Sequence, residues 1–186
     1  MDDARETTKS LRFLTHAVEW VELNPIQLRQ HMAVHEAGHA VVGIAHDMSL
    51  LDVDIQSDPV SHPDGGFIFG GIRFDAPNGD MNEWARERPV ETAIVLMAGK
   101  CAEELILGSH LRESWSGDLR ILRIGHGWLE GMSDLPHEMF RYLNDAHDAV
   151  TRHETTIRRV ADVLLRKGRL TADEVAHLTG AFGRER

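Results

Sequence analysis

The chain has 186 residues, 42% apolar and 27% charged, with a formal charge of −10. That size and mix fit a single soluble globular domain able to bury a real core, and the acidic balance argues against nucleic acid or an anionic membrane as partner. No apolar run approaches the roughly 20 residues that span a bilayer. The polar start MDDARETTKS lacks the apolar core of a signal peptide, and the one cysteine, Cys101, excludes an internal disulfide. The expectation is a cytoplasmic protein with no membrane span and no nucleic-acid partner.

In chain order, Lys9 to Glu22 has helical spacing, with Leu11, Leu14, Val18 and Val21 on one side. This predicts a helical N-terminal extension over residues 1–24, ahead of a core over 25–180. Asn24 and Pro25 read as N-cap and first helical residue, and Gln27 completes a capping box. The helix they open is predicted to reach about His46, with Ala33, Ala37, Ala40, Val41 and Ile44 as its apolar stripe. Val53 and Ile55 then alternate with Asp52 and Asp54, the pattern of a half-buried strand. Phe67 to Phe74 predicts a second strand, with a bulge at Gly70 and Gly71.

After a loop through Asp75, Pro77, Asn78 and Gly79, Pro89 opens a helix that Gly108 ends. Ser116 is expected to cap a further helix through Ile124, stopped by Gly125 and Gly127. A long helix starts near Pro136 and ends at Gly168. Thr171 and Glu174 form a capping box for a short last helix. The predicted class is mainly α with a small β-sheet, an α+β domain.

Residues four apart on a helix share a face, so His35 and His39 can aim imidazole nitrogens at one metal ion. Glu36, beside the first ligand, reaches a metal-bound water as general base, the logic of the His-Glu-x-x-His metallopeptidases. With twelve histidines in the chain, chance supplies such a pentapeptide in roughly one chain in twenty, so its surroundings must decide. The motif lies mid-helix beside an apolar stripe. Gly38 costs the helix roughly 1 kcal/mol relative to Ala, which implies a close neighbour there. The plainer reading is a helix with two locally bonded histidines. A catalytic site needs a third ligand, and Asp118, Glu103, Glu104, His46, His110 and His126 are all candidates that spacing does not separate. For Asp118 the ordinary alternative is a first-turn acid facing the helix dipole, and for Glu103 and Glu104 a solvated helix face.

MAVHEAGHAVVG, Met32 to Gly43, resembles the metal-binding helix of the FtsH family of ATP-dependent zinc proteases. MAGKCAEELILG (Met97 to Gly108), SGDLRILRI (Ser116 to Ile124) and the tail VADVLLRKGRLTADEV are similar to later segments of that family, in the same order. The resemblance spans about Gln30 to Gly180. It implies zinc as cofactor, His35, His39 and Asp118 as its ligands, and Glu36 as general base. It also implies a glycine-containing strand beside the cleft, where Gly66, Phe67, Ile68 and Phe69 would pair with an extended peptide. An ordinary protected edge is the other reading of that strand. The family's Walker pattern and membrane anchor have no counterpart here, Gly117 replaces the usual Asn before Asp118, and the segment after Leu119 is shorter.

The leading expectation is a zinc-dependent endopeptidase that cuts flexible or unfolded polypeptides with a metal-activated water. Such an enzyme accommodates a homo-oligomer, since relatives assemble as rings, and a separate ATPase or chaperone partner. A non-catalytic zinc-stabilised peptide-binding or adaptor module is the alternative, disfavoured because a structural site has no need of Glu36. A zinc hydrolase acting on a non-peptide amide is a third.

Overall fold

The computed structural model describes residues 11–14, 20–61, 67–75, 81–125 and 137–180. Its elements are β1 (Leu11–Leu14), β2 (Trp20–Leu23), α1 (Pro25–Ala45), β3 (Leu50–Ser61), β4 (Phe67–Phe74), α2 (Met81–Glu87), α3 (Pro89–Leu107), α4 (Arg112–Gly125), α5 (His137–Lys167), β5 (Arg169–Thr171) and α6 (Ala172–Thr179). The class is α+β: mainly helical, with β3 at the centre of a three-stranded antiparallel sheet ordered β4-β3-β5.

The N-terminal stretch is not the predicted helix. β1 and β2 pair antiparallel, Leu11 opposite Leu23 and Phe13 opposite Val21. The short apolar spacing fits either period, and the aromatic and β-branched residues Phe13, Trp20 and Val21 favour the pleated one. Val18 lies outside the described residues.

α1 begins as its sequence dictates. Asn24 Oδ1 accepts hydrogen bonds from the backbone N–H groups of Ile26 (2.9 Å) and Gln27 (3.0 Å), and Gln27 Oε1 accepts one from Asn24 N–H at 3.0 Å. Such a cap stabilises a helix by about 1 kcal/mol. The helix is buried on every side from His31 to Gly43, not along one stripe, because α3, α5 and the sheet all pack on it. Gly38 permits the closest approach: a β-carbon there would lie 2.7 Å from the Ala98 carbonyl oxygen and 2.8 Å from Ala102 Cβ.

The predicted bulge is displaced. Gly70 and Gly71 pair regularly with Ile55 and Asp54, and both irregularities put the extra residues on β3, between Leu50 and Asp52 and between Ile55 and Val60. Gly70 answers a steric demand instead, since a β-carbon would lie 2.8 Å from the Asp54 carbonyl oxygen. Val53 and Ile55 turn into the core, and Leu170 joins them from β5. Asp52, also buried, is gripped by Arg73 of β4 and Arg169 of β5.

The helix α2 was not anticipated; its Trp84 stacks on Phe74 of β4 at 6.0 Å between ring centroids. α3 ends at Gly108, whose φ of +80° suits glycine. α4 starts at Arg112, so Ser116 lies inside it and is not its cap; Gly127 and Pro136 fall outside the described residues. Gly168 stops α5, and Thr171 and Glu174 form the expected box at α6.

The hydrogen bond from Arg73, with Arg169 beside it, overcomes burial and holds the Asp52 carboxyl down at about 2. Because the folded value is depressed, this stabilisation is full above the unfolded value of about 3.9 and fades as pH falls toward 2. Asp52→Asn is expected to lower stability by about 1–3 kcal/mol in urea unfolding at pH 7. The gap to wild type should close as the titration is repeated from pH 5 down to pH 2.5.

Candidate metal centre

α1 stacks His31, His35 and His39 one turn apart on a single face. The Nε2 atoms of His35 and His39 are 2.9 Å apart, with the two rings edge to face. α4 brings Asp118 to the same point, its Oδ2 lying 3.2 Å from His35 Nε2 and 3.3 Å from His39 Nε2. Among the described residues these three form the group able to hold a metal ion. Tetrahedral zinc with bonds of about 2.0–2.1 Å sets its ligands about 3.3 Å apart, so the donor set and its spacing fit that ion. Asp118 does this from the interior of α4, not from a first turn, so the helix dipole does not account for it.

The far side of each imidazole is fixed by α3. His35 Nδ1–H donates to Glu103 Oε1 at 2.7 Å, and His39 Nδ1–H donates to the Val95 carbonyl at 2.7 Å. Both Nε2 atoms are thereby turned toward Asp118, the arrangement that orients histidine ligands in metal sites. Burial opposes charge on His35, but its bonds to Asp118 and Glu103 outweigh it and raise its pKa well above the ordinary value. Burial likewise works against the Asp118 carboxylate, yet His39 and His35 hold it down at about 2. The pair favours an ionised carboxylate beside proton-hungry imidazole.

Glu103 is neither a ligand of this group nor a solvated residue. It is wholly buried behind His35 and also receives bonds from His31, Leu111 N–H and Ser114. The bonds from His31 and His35 overcome burial and keep its pKa at about 2. Glu104 is held by Lys100 and His110 at 2.7 and 2.8 Å. His46 caps the C-terminal end of α1, two turns beyond His39; His126 lies outside the described residues.

Glu36 is buried beside the two histidines. Burial raises its pKa, with His35 and His39 partly opposing. β4 passes over it: a β-carbon at Gly70 would sit 3.3 Å from Glu36 Oε1. Phe67, Ile68 and Phe69 belong to the same strand, where Phe67 pairs with Ser61 and Ile68 with Val60; Gly66 is outside the described residues. β4 is an edge of its sheet, with β3 as its one partner among the described strands.

Sequence reasoning missed Val95, Ser114 and Gly99. A β-carbon at Gly99 would lie 2.6 Å from His39 Nε2 and 2.7 Å from His35 Nε2. α3 thus presses bare backbone against the two donor atoms. The signal was present as a glycine inside a helix, the same signal that was read correctly at Gly38.

No protein-family model matches the chain. Over 91 residues, 49% of its length, it is 36% identical to the ATP-dependent zinc metalloprotease FtsH 3 of Sphaerobacter thermophilus. The likeness is to an FtsH protease. The matched residues make up 17% of that relative, so the chain spans only a small part of it. Among the described residues no helix is long and apolar enough to cross a membrane.

The wall formed by Gly99 yields a direct expectation. Gly99→Ala should leave the helical circular-dichroism signal in place while pushing the imidazoles off their common point. Zinc affinity, measured by competition with a chromophoric chelator, should fall by roughly 10–100-fold. Wild-type affinity in this variant would mean that the glycine contributes nothing to the centre.

Proposed function

We propose that the chain is a zinc-dependent endopeptidase of the FtsH type, acting on flexible or unfolded polypeptides. One observation carries the reading: three donors, His35, His39 and Asp118, converge beside a buried glutamate. The partial likeness to an FtsH zinc metalloprotease supports it. Zinc held by these side chains would supply the Lewis acid that activates water and polarises the scissile carbonyl.

The chain's own residues do the rest. Glu36 takes the proton of the attacking water and passes it to the amine nitrogen of the breaking bond. Burial raises its pKa, which favours its holding that proton between the two transfers. Glu103 and the Val95 carbonyl keep the ligand rings from turning. An extended peptide would add to the edge of β4 that no described strand pairs, with the backbone of Phe67, Ile68 and Phe69 as its partner and Gly66, next in sequence, proposed to extend that contact. Only a chain without stable structure can lie down in that way, hence the choice of substrate. A homo-oligomer and a separate ATPase or chaperone are compatible partners. A reducing cytoplasm suits the buried Cys101, whose thiol burial pushes up to about 12.

Glu36→Gln provides the test. Zinc stoichiometry should stay at one per chain while cleavage of unfolded casein falls by roughly 10²–10⁴-fold. Asp118→Asn should lose the metal itself. Zinc-loaded wild type that binds unfolded peptide but leaves it uncut would overturn the enzyme reading in favour of a peptide-holding module.

A further inference from the structure

The third histidine on the α1 face, His31, belongs to no part of the reaction described so far. It is almost fully buried, in the turn before His35, and its Nδ1–H donates to Glu103 Oε2 at 2.7 Å. The Glu103 carboxylate therefore spans two histidines of the same helix, His31 on one oxygen and His35 on the other. Its remaining acceptor positions are also used. Ser114 Oγ–H donates to Oε1 at 2.6 Å and Leu111 N–H to Oε2 at 3.0 Å. An ionised carboxylate offers about four acceptor sites, two on each oxygen. Here each oxygen receives two donors, one of them a histidine.

That symmetry fixes the carboxylate against rotation about its Cγ–Cδ bond. The His35 ring takes its orientation from Oε1, so whatever holds Oε2 also holds the ring. Without His31, Oε2 would retain the single backbone donor of Leu111 in a site with no water-exposed face, and a buried charge short of donors relaxes toward whatever it can find. We propose that His31 is a positioning residue of the metal centre, acting through Glu103 to set the orientation of the His35 imidazole. The inference rests on the metal reading of His35, His39 and Asp118, and extends the centre from those three side chains to a ladder of three histidines on one helix face.

Two variants of similar size and polarity separate positioning from mere filling of space. Asparagine carries an N–H donor close to where histidine has Nδ1, whereas glutamine carries its donor near the position of Nε2, away from Glu103. His31→Asn and His31→Gln would be loaded with Co(II) and titrated against a chelator, with the visible d–d spectrum recorded and the melting of the metal-free proteins followed in parallel. His31→Gln is expected to bind Co(II) roughly 10–100-fold more weakly and with a shifted spectrum, as other outer partners of metal-bound histidine do. His31→Asn should stay close to wild type in both. Equal affinity and identical spectra for His31→Gln and wild type would overturn the role of His31 alone, as would equal weakening in both variants. Failure of wild type to take up one Co(II), or uptake unaffected by His35→Ala, would overturn the centre itself.

Discussion

One buried charge organises this molecule. Glu103 has no exposed surface, and an ionised carboxylate in such a place is tolerable only if it is surrounded by donors. The donors come from three directions: His31 and His35 on α1, Leu111 just before α4, and Ser114 within α4. Glu103 itself sits on α3. The demand of a single side chain for hydrogen bonds thus ties three helices together, and the meeting point is the back of His35, one of the three donors of the candidate centre. Stability and chemistry are tied together at this residue, since loosening the cluster releases His35.

Close packing supplies the rest of the geometry. α1 and α3 approach at Gly38, where a β-carbon would strike Ala98 and Ala102, and again at Gly99, where one would strike the imidazoles. The two glycines face opposite ways across one interface. Gly38 lets α3 come near, and Gly99 lets the histidines of α1 keep their place once it has. On the other flank Gly70 allows β4 to lie against Glu36. The candidate centre is therefore enclosed by backbone on two sides, which leaves few directions in which its side chains can relax.

Much of this was legible in the residues. The caps at Asn24 and Thr171, the stops at Gly108 and Gly168, and the strand from Val53 to Ile55 all follow from local chemistry that needs no partner. The convergence of His35 and His39 follows from helical geometry. What was not legible depends on contacts distant in the chain. Spacing alone left Asp118 level with Glu103, Glu104 and three histidines; only the family resemblance pointed to it, and the reason is that α4, packed on α3, carries it to the two imidazoles. Glu103 and Glu104 are adjacent and look alike in sequence, yet one is buried behind His35 and the other is held by Lys100 and His110. The β1–β2 pair was misread because a stretch with both periods cannot be resolved without its partner strand. At Gly70 the residue was read correctly as unusual, but the reason was a neighbour across the sheet and not a bulge.

The proposed centre requires His35, His39 and Asp118 to share one ion. Zinc-edge X-ray absorption on the metal-loaded protein tests that sharing most directly. It should show two imidazole ligands at about 2.0–2.1 Å, with oxygen donors completing a low-coordinate shell. A shell containing sulfur from Cys101, or one with fewer than two imidazoles, would contradict it.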